Sequence, residues 1–268
     1  MTRPEDRLSW RTIIGFGAGD IYGGGSLMIV GFYYLYFLTD VVLMPPALAG
    51  TVILISKVWD AVSDPLMGFL TDRTRTRFGR RRPYFLAGIP LIFISFLLLW
   101  IPYDPENAGL KFALVLFAYL FFSTIITMVM VPYNALSSEL TPDYHERTRL
   151  SSVRIFFSSV ASLICAVAPL EIVKLFPTVK QGYPAMAAVF GLFFALPFVA
   201  TFLTTRERME FTKRTAHGSI FHDLRSAAQL KPFRHVLAMY LFAFVAIDAV
   251  MAVVIYFMTY YLNRPDEA

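Results

Sequence analysis

Three ionisable side chains lie within one apolar stretch of the sequence, residues 47–70. Lys57, Asp60 and Asp64 are spaced i, i+3 and i+7, so a helix carries all three on one face. Each charge at the centre of a bilayer costs roughly 2.5–3.5 kcal/mol on insertion scales, and such residues usually serve a function. Two interpretations follow: a carboxylate pair that holds a cation, with Lys57 as a nearby ion-pair partner, or a salt-bridge cluster that only locks helices together. A single lysine leaves two close carboxylates under-compensated, which favours the cation.

The composition is that of a membrane protein. The chain has 268 residues, of which 57% are hydrophobic and 16% charged, and its mean hydropathy is +0.58. A soluble domain is nearer 45–50% apolar and about 25% charged. The basic residues cluster between apolar spans, so the net charge of +5 indicates topology rather than nucleic-acid binding. Cys165 is the only cysteine, which excludes an intrachain disulfide and a cysteine-rich metal site.

Apolar length predicts an all-α polytopic protein with seven membrane-spanning helices, α1 to α7. Residues 1–204 are expected to form a six-helix transmembrane bundle, 205–231 a cytoplasmic linker, and 232–268 a seventh helix and tail. The predicted spans are 10–38, 47–72, 84–103, 110–138, 150–175, 183–204 and 232–262.

The distribution of lysine and arginine predicts the orientation in the membrane. Nineteen of the 24 lie in the N-terminal tail, the α2–α3 loop, the start of α5 or the α6–α7 stretch, whereas four lie on the opposite side. Basic residues are enriched in cytoplasmic loops. The sequence therefore predicts a multi-pass protein of the cytoplasmic membrane with its N-terminus in the cytoplasm.

Glycines are concentrated in α1, and two interpretations of Gly23–Gly25 stand open. Small residues let membrane helices pack closely. Alternatively, the three glycines leave open volume beside a solute cavity. Asp20, just before this run, is expected to face the bundle interior, because a carboxylate within the membrane avoids lipid.

Near the end of α4, Pro132 removes one helical hydrogen bond and frees a carbonyl about one turn earlier, around Met128. Thr127 stands beside that carbonyl. Its hydroxyl is either a cation ligand or bonded to its own helix. Arg154 of α5, if buried, needs an anionic or polar partner.

The α2–α3 loop is strongly basic and follows an acidic residue, Asp72, at the cytoplasmic end of α2. A carboxylate there can pair with loop arginines or cap a neighbouring helix. Such a pair can hold one conformation of a transporter and break in another. The arginines also serve to set topology, and that role alone is the alternative. The residues assigned to this conformational latch are Asp72, Arg73, Arg80 and Arg81.

Four stretches of the chain carry a family resemblance: Gly15 to Asp20 together with Leu38 to Val41, Lys57 to Pro65, Gly68 to Pro83, and Pro132 to Asp143 with Glu146 and Arg147. Together they resemble the glycoside–pentoside–hexuronide:cation symporter family of the major facilitator superfamily. The resemblance extends over about residues 12–262. It implies secondary transport of a small solute, with Na+ or H+ as the coupling ion and no cofactor.

The resemblance also implies which residues form the two binding sites. The family's cation site falls on Asp60, Asp64 and Thr127, and a third polar position of α2 falls on Ser63. Sugar recognition in the family uses an α1 aspartate, an α4 aspartate, an α4 tryptophan and an α5 arginine. Aligned here, these positions are Gly24, Met130, Asn134 and Arg154, with Asp20 as an additional candidate.

Both sugar-binding carboxylates of the family are therefore expected to be missing. A galactoside would lose two charge-assisted acceptors, each worth roughly 1.5–3 kcal/mol. The better-fitting solutes are a uronide, a glycoside with an apolar aglycone, or a lysolipid.

Superfamily members have twelve helices in two halves, with the site between the halves. Seven helices are expected to belong to a fragment of a longer protein, to a chain that associates with a second chain, or to a product that does not transport. Cation-coupled symport is the leading hypothesis, and a non-transporting membrane partner or remnant of a transporter is the alternative. HExxH, GxSxG and phosphate-loop motifs are absent from the sequence, so an enzyme is not expected. The expected partners are a solute and the lipid bilayer, not nucleic acid.

Overall fold

The computed structural model describes residues 7–207 and 229–262. Within them, seven helices are long and apolar enough to cross a membrane, which confirms the all-α polytopic fold. Most of the predicted linker and the predicted tail, residues 208–228 and 263–268, lie outside the described residues. The bounds after α1 are Pro46–Arg73 for α2, Arg82–Leu99 for α3, Ala108–Glu139 for α4, Tyr144–Lys174 for α5, Val179–Thr204 for α6, and Lys231–Tyr256 with the π-helical Phe257–Tyr261 for α7.

The predicted single span of α1 is interrupted. It consists of two α-helical parts, Trp10–Gly17 and Asp20–Ile29, followed by two π-helical segments, Val30–Tyr34 and Phe37–Val41. The amide of Gly19 donates to the carbonyl of Phe16 at 3.0 Å, one residue short of the α-helical partner.

Side chains from other helices compensate for this break in α1. Tyr133 of α4 donates its hydroxyl to the Phe16 carbonyl at 2.7 Å, and Thr201 of α6 donates to the Gly15 carbonyl at 2.8 Å. The break therefore leaves these two buried backbone groups with partners, which apolar surroundings require.

Two helix ends differ from the prediction by several residues. α5 begins at Tyr144 rather than at 150, because Asp143 caps its first turn by accepting from the Glu146 amide at 3.0 Å. α3 ends at Leu99 rather than at 103. Pro102 disfavours helical geometry in the residue before it, so apolar length overestimated this helix.

The core is built on α1, α4 and α6. α1 packs against α5 and α6, α3 packs against α6 and α4, and α2 packs along α4. Aromatic side chains fill the space between them, and Trp100 stacks on Tyr183 with ring centroids 5.5 Å apart and planes at 8°. The pairing of α2 with α4 places the acidic residues of α2 beside the hydroxyls of α4.

At the end of the bundle opposite the start of α1, the carboxylate of Asp104 joins two helices. It accepts from Lys111 of α4 at 2.9 Å and from Lys180 of α6 at 2.8 Å, and Lys111 also donates to the Val42 carbonyl at 3.2 Å. The hydrogen bonds from Lys180 and Lys111 lower the pKa of Asp104 to about 2. This clamp ties the α1–α2 and α3–α4 connections to the bundle.

Candidate cation and solute sites

Two carboxylates of α2 face two hydroxyls of α4. The Thr127 hydroxyl donates to Asp64 at 2.7 Å, and the Ser123 hydroxyl donates to Asp60 in a short hydrogen bond. Both hydroxyl residues are buried, whereas Asp60 is half-buried and Asp64 is exposed. The structure thus brings together the three residues predicted for the cation site and leaves the carboxylates accessible to an ion.

Ser123 was missed in the sequence. It lies one turn before Thr127, so the same spacing that pairs Asp60 with Asp64 could have identified it. The predicted Ser63 is buried, but its hydroxyl lies 3.5 Å from the Asp60 carbonyl of its own helix. Ser63 therefore lies beside the carboxylate pair without bonding to it.

Each of these two helices also contains a proline near the acidic or hydroxyl residues. Pro65 lies inside α2 and Pro132 inside α4. A proline nitrogen cannot donate, so the carbonyls of Ala61 and Met128 lose their partner four residues on. Carboxylate, hydroxyl and carbonyl oxygens are the ligands that hard cations prefer.

Lys57 points to a partner that the sequence did not identify. Its ammonium nitrogen lies 3.4 Å from the carboxylate of Asp248 in α7, instead of bonding to Asp60 or Asp64. The indole of Trp59, the residue before Asp60, donates to the Thr124 hydroxyl at 2.9 Å. The predicted ion pair of Lys57 is thus made across helices rather than within α2.

The predicted solute residues form a second cluster around Arg154. The guanidinium of Arg154 donates to Asn134 at 2.6 Å and to Asp20 at 3.3 Å, and it lies over the ring of Tyr133 at 4.7 Å. The side chains of Arg154 and Asp20 are each only 15% exposed. The anionic and polar partners expected for a buried arginine are therefore Asp20 and Asn134.

Gly24 does not line open space, and the open-volume interpretation of the α1 glycines is wrong. A methyl group at Gly24 would lie 2.1 Å from the Ser158 hydroxyl, and one at Gly23 would lie 2.5 Å from Met130. These glycines let α5 and α4 approach α1 closely. The α1 carboxylate beside Arg154 is Asp20, one turn before Gly24 and named in the sequence analysis as an additional candidate for this cluster.

The two clusters share one face of α4. The residues facing the cation pair and the solute cluster are spaced i, i+4, i+7 and i+11, which one helical stripe accommodates. This stripe consists of Ser123, Thr127, Met130 and Asn134. One helix therefore positions side chains at both clusters.

Three of the four residues predicted to form a conformational latch make ion pairs at these helix ends. Arg81 donates to Asp72 at 3.1 Å and to Glu139 of α4 at 2.7 Å, and Arg80 donates to Glu139 at 2.7 Å. Arg73 instead stacks over Phe69 of its own helix at 3.6 Å. Burial alone would lower the pKa of Arg81, but its interactions with Glu139 and Asp72 raise it overall.

Glu207, just after α6, contacts the backbone of the same arginine-rich loop. Its carboxylate accepts from the backbone amides of Arg80, Arg81 and Arg82 at 2.7, 2.7 and 3.0 Å. An acid at the start of α3 is favourable because helix N-termini present free amides and a positive dipole end. The sequence did not identify Glu139 and Glu207, because neither lies near the loop along the chain.

Residues 15–268 match the family described as MFS/sugar transport protein, and the chain belongs to this family of transporters, as the resemblance to glycoside–pentoside–hexuronide:cation symporters implied. The chain is 32% identical to the putative glycoside/cation symporter YagG of Escherichia coli, covering 98% of this chain and 57% of that protein. It is 27% identical to an E. coli glucuronide carrier protein homolog, covering 97% and 57%. It is 34% identical over 136 residues to the sodium-dependent lysophosphatidylcholine symporter 1-B of Danio rerio, covering 50% and 26%. The chain thus spans about half the length, or less, of these relatives.

Proposed function

We propose that this chain carries the cation site and part of the solute site of a cation-coupled symporter of the cytoplasmic membrane, with its N-terminus in the cytoplasm. The observation that carries the proposal is the pairing of Asp60 and Asp64 with the hydroxyls of Ser123 and Thr127 inside membrane-spanning helices. Neither hydrogen bond neutralises a carboxylate, so the pair retains negative charge that a bound cation removes.

Cation binding then favours the conformation in which the two carboxylates are enclosed. An ion at Asp60 and Asp64 lowers the cost of removing these charges from water. The same α4 stripe carries Asn134, which contacts Arg154 at the solute cluster. Ion and solute thus favour one conformation together, which is the thermodynamic requirement for symport by alternating access.

Sodium and the proton are both candidates for the coupling ion. Carboxylate and hydroxyl oxygens suit a hard cation such as Na+. A carboxylate can also bind a proton, so the same pair suits H+. Relatives named as a glycoside/cation symporter and a sodium-dependent symporter support cation coupling.

The solute cluster favours a small solute with an anionic or acceptor-rich end. Such an end can replace Asp20 at the guanidinium of Arg154, while Asn134 offers a further polar contact. A less polar body can rest on Met130, which packs against α1 at Gly23. A glucuronide and a lysophospholipid both have such an end, and two relatives are named for these solutes.

Cation binding by the purified chain tests the proposal. Sodium binding is measured with radioactive sodium by equilibrium dialysis, and carboxyl protonation by infrared spectroscopy over a pH series. We expect Asp60→Asn and Asp64→Asn to lose the ion, while Asp104→Asn, on the outer face, retains it. The proposal is refuted if both α2 variants bind sodium and protons as the unmodified chain does.

A further inference from the structure

The ion pair between Lys57 and Asp248 lies within two membrane-spanning helices. Lys57 is in the middle of α2 and Asp248 is in the middle of α7, and their charged groups are 3.4 Å apart. Charges at this depth are costly and are usually retained for a function. Neither the cation site nor the solute cluster, as described above, uses Asp248.

Lys57 has a second carboxylate within reach. Asp60 follows it by three residues on the same helix face, where side chains are about 5–6 Å apart at their β-carbons. The flexible four-carbon stem of a lysine can direct its ammonium to either partner. In this conformation the ammonium turns to Asp248, and Asp60 accepts from Ser123.

The two carboxylates that compete for Lys57 share one polar region. Tyr119, buried in α4 one turn before Ser123, interacts electrostatically with both Asp60 and Asp248.

We propose that Asp248 is a positioning residue for the cation site: it holds the Lys57 ammonium away from Asp60 and so leaves the carboxylate pair free for the coupling ion. When α7 moves and withdraws Asp248, Lys57 turns to Asp60 and acts as a tethered cation that displaces the ion. Ion occupancy and the position of α7 are thereby coupled, and by thermodynamic reciprocity each biases the other. This inference rests on the proposed cation-coupled function.

A second contact of α7 supplies a matched control. Near the outer ends of the helices, Tyr260 donates to Asp40 in a short hydrogen bond, and the hydroxyls of Tyr256 and Thr39 are 2.7 Å apart. Asp40→Asn weakens the attachment of α7 to α1 without touching Lys57. It therefore separates loss of helix docking from loss of the lysine's partner.

The experiment measures the sodium affinity of the purified full chain and its variants by equilibrium dialysis with radioactive sodium. Asp248→Asn should lower the affinity about ten- to a hundredfold, the usual range for coupled sites. The double variant Lys57→Met with Asp248→Asn, which lacks the ammonium as well, should regain the sodium affinity of the unmodified chain. Asp248→Glu should retain that affinity. Lys57→Met alone should bind at least as tightly as the unmodified chain, and Asp40→Asn, which leaves Asp248 available to Lys57, should lose much less affinity than Asp248→Asn.

The inference is overturned if Asp248→Asn binds sodium like the unmodified chain, if the double variant is as weak as Asp248→Asn, or if Asp40→Asn is equally weak. Failure of the unmodified chain to bind sodium while it still binds protons also overturns the inference. Binding of neither ion by the unmodified chain refutes the proposed function itself.

Discussion

Replacing Thr127 by valine removes one buried hydroxyl from the proposed cation site at nearly constant side-chain volume. The hydroxyl donates to Asp64 at 2.7 Å, and Thr127 is only 5% exposed. Without an ion, water can replace the lost donor, because Asp64 is exposed. With an ion bound and the two carboxylates enclosed, as proposed above, water is excluded and the site lacks one oxygen ligand.

Thr127→Val therefore destabilises mainly the ion-bound state. A hydrogen bond or ligand contact to a charged group is worth roughly 1.5–3 kcal/mol, and each 1.4 kcal/mol is about tenfold in affinity. We expect Thr127→Val to weaken binding of the coupling ion about ten- to a hundredfold. Sodium binding by equilibrium dialysis measures the change, and thermal unfolding checks that the variant is folded.

Thr124 provides the matched control. It lies three residues before Thr127, donates to the Leu120 carbonyl of its own helix at 2.7 Å and accepts from Trp59 at 2.9 Å. Thr124→Val should therefore bind the ion like the unmodified chain. Equal affinity of Thr127→Val and the unmodified chain, or equal loss in both valine variants, would refute the assignment of Thr127 as a ligand.

Three further predictions concern packing, the latch and pH. Gly24→Ala places a methyl group 2.1 Å from the Ser158 hydroxyl and should destabilise the fold by about 1–3 kcal/mol in unfolding measurements, whereas Gly50→Ala meets nothing within 4 Å and should not. Asp72→Asn removes one of two carboxylates that pair with the loop arginines. It should therefore shift the conformational equilibrium several-fold, by about 1 kcal/mol, without abolishing ion binding. Unchanged rates of cysteine labelling at the α2–α3 loop end of the bundle would contradict this. The pKa of Asp104 is lowered to about 2, below an unfolded value of about 3.9, so its clamp should stabilise the fold fully above about pH 4 and be lost as pH falls towards 2. Unfolding of the unmodified chain and Asp104→Asn across this range should therefore converge only at the acidic end.

The seven spans and the proximity of Asp60, Asp64 and Thr127 could be predicted because both follow from helical patterns in the sequence. Apolar length defines a span, and the spacing of Asp60, Asp64 and Thr127 follows from helical periodicity and the family resemblance. Ser123 was missed because a serine in an apolar helix ordinarily bonds to its own backbone. Asp248 was missed because no local pattern relates it to Lys57, 191 residues away.

The α1 carboxylate of the solute cluster shows a different limit. Positions 20 and 24 lie on one helix face and differ in height by about 6 Å, one turn. Which of them meets Arg154 depends on how deeply α1 is seated in the bundle. The contact of Gly24 with Ser158 sets that depth, and it belongs to tertiary packing rather than to the sequence of α1.

The interrupted turn of α1 also affects how easily this helix can bend. In a continuous helix, bending stretches or breaks backbone hydrogen bonds along one side. Here the carbonyls of Gly15 and Phe16 are held by hydroxyls of α6 and α4, each on a side chain that can rotate with its acceptor. The part of α1 that carries Asp20 can therefore tilt relative to the part before Gly17 while these contacts persist. The two parts of α1 therefore meet at a junction that α4 and α6 hold in place. Tilting of α1 is expected to be concentrated at this junction, near Tyr133 and Arg154.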